Sequence, residues 1–198
     1  MTRSLRVAVA DDEPDMQEYL RDTLTRLGYE VVCVVGDGKA LARECRALRP
    51  DLVITDVKMP GLDGLEAAAE ICRDGPVPIV VVSAYHDEEV VERAAANHVL
   101  AYLVKPIRES NLVPAITIAL RRFAEFQALH AEAADLRQAL EDRKLIERAK
   151  GILMREAGVD EETAFRRLQK LASGKNRKLV DMARMIVETA EAFRPPEK

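Results

Sequence analysis

Tryptophan is absent from the 198 residues, and phenylalanine and tyrosine contribute only four each. Apolar residues still make up 48% of the chain, enough for a real core in one or two domains. Long apolar runs are missing. No N-terminal signal-like segment and no membrane-length stretch is present, so a cytoplasmic protein with no membrane partner is expected. Cysteine is scarce and odd in number. Cys33, Cys45 and Cys72 fall in apolar runs or predicted helices without ligand spacing, which predicts buried reduced thiols. His86, His98 and His130 share no ligand spacing either, which argues against zinc and for solvated side chains. A glycine-rich phosphate loop is also missing. Gly36-Asp37-Gly38 is too short and lacks the Lys-Ser/Thr ending, so the chain is not expected to use ATP itself.

Glycine and proline are absent from Ala115 to Lys150, between Pro114 and Gly151, and strong helix formers fill that interval. Phe126, Leu129, Ala133, Leu136 and Leu140 recur there at spacings of three and four, as in a coiled-coil seam. Arg143 interrupts the repeat, and Leu145, Ile146, Ala149, Ile152 and Leu153 continue on a shifted stripe. Two readings follow. The helix packs along its own protein, or it connects two domains, pairs with a second chain and enters a second small core.

Ahead of this helix, β-rich runs at Leu5–Ala10, Val31–Val35, Leu52–Thr55, Val77–Val82 and Leu100–Val104 alternate with predicted helices. The helices are Pro14–Leu27, Asp37–Leu48, Gly64–Cys72, Asp87–Ala96 and one capped by Ser110, with Pro114 in its first turn. Five strands alternating with five helices predict a parallel sheet covered on both faces. Sites in such sheets lie at the C-terminal strand ends. Asp11 and Asp12 follow strand one, Asp56 ends strand three, Ser83 follows strand four and Lys105 follows strand five. Converging carboxylates repel one another, and a hard cation such as Mg²⁺ relieves that repulsion. Metal, lysine and hydroxyl can each hold a phosphoryl oxygen, which suits phosphoryl transfer onto a carboxylate.

The Asp11-Asp12 pair, Asp56 in the run DVKMPGLDG (56–64), Ser83 and the run YLVKP (102–106) resemble a response-regulator receiver domain of two-component signalling over residues 5–122. The resemblance implies a flavodoxin-like fold with Asp56 as phospho-acceptor. It further implies Asp12 as a direct Mg²⁺ ligand, Asp11 acting through water, and the Lys58 backbone carbonyl as a further ligand. Ser83 and Tyr102 match the family's switch pair, Lys105 matches its active-site lysine, and a sensor histidine kinase is the implied partner. Ser83 stands where threonine is more usual, keeping the hydroxyl. Asn97-His98-Val99 stands where the family often has glycine, and asparagine tolerates a left-handed turn.

Charge is unevenly spread. Residues 1–122 hold 15 basic and 20 acidic side chains, whereas residues 143–184 hold 12 and 6. That asymmetry predicts an anionic partner for the back half. The long helix is expected to continue through Gly151, there for close helix packing, and to end at Gly158. A second helix, capped by Asp160 and ended by Gly174, carries the stripe Phe165, Leu168, Leu171 and Ala172. A third, from about Arg177 to Ala192, carries Leu179, Val180, Ala183, Ile186 and Val187. Together they predict a small bundle. The runs RKLIERAKGILM (143–154), TAFRRLQKLA (163–172) and NRKLVDMA (176–183) resemble an ANTAR domain over residues 136–190. That implies a three-helix antitermination module binding paired RNA hairpins. Ala172-Ser173-Gly174 replaces a common Ala-Met pair. Lys144, Arg148, Lys150 and Arg167 are the expected core of the RNA face.

The expected division is a receiver at 1–122, a coiled-coil linker at 123–135, the RNA-binding module at 136–193 and a tail at 194–198. The expected function is phosphorylation-controlled antitermination by a coiled-coil homodimer, without catalysis beyond gain and loss of the phosphoryl group. A DNA-binding response regulator is the first alternative. The third helix opposes it by carrying Met182, Met185 and Ile186 rather than a base-reading set. A phosphotransfer adaptor without nucleic acid is the second.

Overall fold

A computed structural model of the chain describes residues 4–84 and 99–192. Tyr85, His86, the predicted helix 87–96, Asn97, His98 and the expected tail 194–198 lie outside the described residues. Two compact units divide between Gln127 and Ala128.

In the first unit five strands form one parallel sheet: β1 (Arg6–Ala10), β2 (Glu30–Val35), β3 (Leu52–Asp56), β4 (Ile79–Ser83) and β5 (Val99–Val104), in the order β2-β1-β3-β4-β5. That is the flavodoxin-like order, with its switch point between β1 and β3. Side-chain alternation along the strands builds two cores. Ala8, Ala10, Val53, Ile79 and Val81 face α2 (Gly38–Leu48) and α3 (Gly64–Asp74). Val7, Val9, Leu52, Ile54, Val80 and Val82 face α1 (Pro14–Arg26) and the first turns of α4 (Glu109–Ala157). Both faces are therefore dry, which explains the nearly continuous apolar strands. Cys45 lies in the first core, and burial pushes its thiol up to about 12.

Local signals start these helices. Asp37, expected as a first helical residue, is instead an N-cap that accepts from the Ala40 amide at 2.8 Å. Asp63 and Glu66 form a reciprocal capping box on α3. Ser110 is not a cap: α4 begins at Glu109, and the Arg108 carbonyl accepts the first amides. Pro114 consequently falls in the second turn rather than the first.

The long helix is one element of 49 residues, passing through Gly151. Its seam residues Leu129, Leu136 and Leu140 are 65%, 61% and 58% exposed. The reading in which that stripe packs along its own chain does not hold for the described residues. The second unit packs the end of α4 with α5 (Glu161–Gly174) and α6 (Leu179–Ala192) around Ala149, Ile152, Leu168, Ala172, Met182, Ala183 and Val187. Asp160 caps α5 by accepting from the Thr163 amide, and Gly158 turns the chain at φ 60°. The buried stripe of α5 is Ala164, Leu168 and Ala172, with Leu171 left 42% exposed, so the expected stripe was rotated by about one position.

A β-carbon at Gly64 would meet the Asp56 carbonyl oxygen at 1.8 Å, so this glycine lets α3 start against the end of β3. A β-carbon at Gly151 would meet nothing within 4 Å, so the expected close packing there is absent. Opposite outcomes are expected. Gly64→Ala should destabilise by about 1–3 kcal/mol through overpacking, and Gly151→Ala should stabilise by about 1 kcal/mol through helix propensity. Urea unfolding of the two variants checks both signs.

Candidate functional site

The C-terminal ends of β1, β3, β4 and β5 bring the expected residues together. Ala10 pairs with Thr55, so Asp11 and Asp56 leave adjacent strands side by side. Val82 pairs with Asp56, which places Ser83 one residue beyond at the same edge. Ser83 pairs with Val104, and Lys105 follows, its amide donating to the Ser83 carbonyl at 2.8 Å.

Lys105 ties the site together. Its Nζ donates to Asp56 Oδ2 at 2.8 Å, lies 3.0 Å from Asp11 Oδ2 and 3.3 Å from Glu13 Oε1. Desolvation alone would lower its pKa, but the bonds to Asp56 and Asp11 outweigh it and hold the ammonium above the usual lysine range. Asp11 is fully buried, and burial raises its carboxyl above the usual aspartate range despite the Glu13 amide and Lys105. Its Oδ1 accepts from the Glu13 amide at 3.0 Å. Its Oδ2, near Lys105, has no aligned hydrogen bond. Asp56 Oδ1 accepts from the Lys58 amide at 3.3 Å, which turns the DVKMP loop back over the carboxylate.

One carboxylate oxygen from each of Asp11, Asp12, Glu13 and Asp56 lies within 4.8 Å of the others. Hard oxygen donors converging around a buried carboxylate fit a small divalent cation that keeps several waters. Glu13 is the member that the sequence reading left out, although it directly follows the Asp pair. Ser83 is buried at the site edge, and Tyr102 lies half-buried on β5 against the α2–α3 core.

The second unit sorts its cations by partner. Lys144 pairs with Glu141, Arg148 with Glu191 and Arg166 with Glu162. Lys150, expected at the RNA face, is turned inward and only 7% exposed. Its Nζ meets Glu161 at 2.6 Å and Glu147 at 2.9 Å and lies 5.9 Å from the Phe165 ring centre. Two carboxylates therefore already engage the Lys150 ammonium. Arg167 is exposed and has no ion-pair partner among the described residues.

The sequence pattern of the response regulator receiver domain matches residues 7–117, and that of the ANTAR domain matches residues 134–187. The transcriptional regulatory protein PdtaR of Mycobacterium tuberculosis is 43% identical over 184 residues, covering 93% of this chain and 90% of that protein. The DNA-binding response regulator MtrA of Mycolicibacterium smegmatis is 34% identical over 121 residues, covering 61% of this chain and 53% of that protein. Among solved structures, the signal receiver domain of a modulated diguanylate cyclase from Desulfovibrio desulfuricans superposes with a TM-score of 0.57. It is 30% identical and covers 61% of this chain and 96% of that one.

Replacing Lys105 with methionine leaves Asp11 and Asp56 facing each other without a cation. Without divalent cations, the loss of stability at pH 7 should be about 3 kcal/mol. Burial raises the Asp11 carboxyl above its ordinary value of 3.8. Its neutral form is therefore favoured on folding, and the penalty should shrink as pH falls through that raised value. Thermal unfolding of parent and variant at pH 7 and pH 4 checks the sign. An equal penalty at both pH values would show that Lys105 acts there by packing alone.

Proposed function

The chain belongs to the response regulators, joining a receiver domain to an ANTAR domain, and we propose that phosphorylation of Asp56 controls its binding to RNA hairpins and so regulates transcription by antitermination. What carries the reading is the pairing, in one chain, of Asp56 held by Lys105 at 2.8 Å with an ANTAR match on the separate helical unit. A sensor histidine kinase or a small phosphodonor supplies the phosphoryl group. An Asp56 carboxylate oxygen attacks phosphorus, the bond from phosphorus to the donor breaks with its electron pair leaving on the donor, and an acyl phosphate forms. Mg²⁺, held by Asp12, Asp56 and the Lys58 carbonyl with Asp11 acting through water, would supply positive charge to the phosphoryl oxygens. Lys105 moves its ammonium from the carboxylate to a phosphoryl oxygen. The Ser83 hydroxyl turns toward the new group, and Tyr102 follows on β5, a local charge event biasing a two-state surface.

Helix α4 begins against the receiver core and ends in the helical bundle, so one element belongs to both the sensing and the output units. Residues 1–122 then act as receiver, 123–135 as linker and 136–193 as RNA-binding module. The exposed Leu129, Leu136 and Leu140 at seam spacing support pairing with a second copy. The DNA-binding alternative is less well supported. The transcriptional regulatory protein PdtaR matches over 93% of the chain, whereas the DNA-binding response regulator MtrA covers 61% of it.

Three outcomes are expected. With Mg²⁺ and acetyl phosphate the parent should gain one phosphoryl mass and Asp56→Asn none; full uptake by the variant would remove Asp56 from the role. Phosphorylation should raise affinity for a two-hairpin RNA over duplex DNA of equal length. The Leu136→Glu, Leu140→Glu variant buries charge at the seam and should fall toward monomer mass in analytical ultracentrifugation where the parent is dimeric.

A further inference from the structure

The described cations of the second unit differ in whether a carboxylate holds them. Lys144, Arg148, Lys150 and Arg166 are each held by glutamates. Arg155, Arg167, Lys170 and Lys175 are exposed and without an ion-pair partner among the described residues. These four lie around one hollow surface, whereas the equally exposed Arg137, Arg143, Lys178 and Arg184 lie outside its lining. On α5, Arg167, Lys170, Leu171 and Gly174 recur at i, i+3, i+4 and i+7, beside the buried stripe Ala164, Leu168 and Ala172. One groove of about 860 Å³ runs between α4, α5 and α6, with Ile152, Leu171, Met182 and Met185 in its lining and Arg155 and Lys175 among its cations. A neighbouring hollow of about 570 Å³ shares Leu171 and Lys175 and adds Leu153, Arg167 and Lys170. Leu171 and Met185 stand 42% and 38% exposed in or beside these hollows. The Arg177 guanidinium lies 3.6 Å from Met185 Sδ, bringing a fifth cation to the rim.

We propose that this groove, rather than the glutamate-paired face around Lys144 and Arg148, is where the bundle receives the hairpin RNA, with unpaired loop bases on Leu171 and Met185 and backbone phosphates on Arg155, Arg167, Lys170 and Lys175. The proposal rests on the RNA-binding reading above and assigns it a surface. Its chemistry follows from the lining. A cation already neutralised by a glutamate has to break that pair before it meets a phosphate, whereas an unpaired one releases only counterions. Loop bases expose apolar faces that a duplex hides in its stack, so an apolar floor with a cationic rim matches a hairpin loop. The volume is in the range of about 300–1,000 Å³ typical of ligand clefts. One carboxylate, Glu156, sits in the lining and opposes a polyanion. A second protein chain is the competing occupant, but the surplus of cations on the rim lacks the mixed charge that a self-complementary contact would need.

The full-length protein is titrated with a fluorescein-labelled RNA hairpin bearing an unpaired loop, across a salt series, with helical signal and melting temperature recorded for each variant. Lys170→Gln with Lys175→Gln should weaken binding and flatten the slope of log affinity against log salt by about 1.4, two contacts at about 0.7 each. Lys144→Gln with Arg148→Gln should change affinity by less than about twofold, since those charges are already paired. Leu171→Ser should weaken binding by about tenfold with the salt slope unchanged. Glu156→Gln should tighten it. If Leu171→Ser loses helical signal, the pair of exposed lysine substitutions decides alone. Parent-like binding by the Lys170, Lys175 variant, with loss in the Lys144, Arg148 variant, overturns the groove while leaving the RNA-binding reading intact. Absence of RNA binding by the phosphorylated parent overturns both. A fall in solution mass for Leu171→Ser, with RNA affinity retained, makes the groove a protein interface and overturns the proposal.

Discussion

Carboxylates crowd the end of the parallel sheet, and among the described residues Lys105 alone neutralises them. Four acidic side chains reach within 4.8 Å of one another there, and Asp11 is fully buried. Without Lys105 between Asp11 and Asp56, the cost of that crowding would fall on folding itself. The sheet order puts β1 and β3 side by side, their C-terminal ends bring Asp11 and Asp56 to one point, and Lys105, following β5, reaches both. Gly64 permits α3 to begin against the Asp56 backbone, so Asp56 is framed by sheet, helix and loop at once. A site so balanced responds to a change of charge on Asp56, which is what a switch needs.

The second unit solves a different electrostatic problem. It is rich in cations, yet many of them are structural. Lys150 is the clearest case: its stem passes into the bundle, its ammonium joins Glu147 on α4 to Glu161 on α5, and Phe165 lies beneath it. Pairing of this kind fixes the turn between two helices and withdraws a charge from the surface. Of the cations left without an ion pair among the described residues, Arg155, Arg167, Lys170 and Lys175 line the hollows beside Leu171 and Met185. The bundle thereby separates the cations that hold it together from those available to an anionic partner.

Much of the fold could be read directly. Strand runs, glycine and proline breaks and capping aspartates located the described elements to within about two residues, since each rests on local backbone preference. Asp11, Asp56, Ser83 and Lys105 were legible because strand ends converge in any parallel sheet of this order. The misses share another origin. Ser110 looked like a cap, but the helix begins a residue earlier. Gly151 looked like a packing notch, but open space surrounds it. Leu171 looked like core, but the stripe of α5 is set by where α4 and α6 lie and not by its own period. Glu13 follows the Asp pair in sequence, yet only the turn that folds it over Lys105 shows that it joins the site.

The parallel sheet, the long helix, the three-helix bundle and the chemistry gathered at the strand ends are all legible in the order of the residues. These follow from periodicity, turn residues and motif spacing, which act between neighbours along the chain. Tertiary structure alone decided which charges are occupied. Arg148 meets Glu191 across 43 positions, and Lys150 meets Glu161 across 11. No local pattern encodes such encounters, because a salt bridge depends on the distance between two side chains in space and on the water excluded around them.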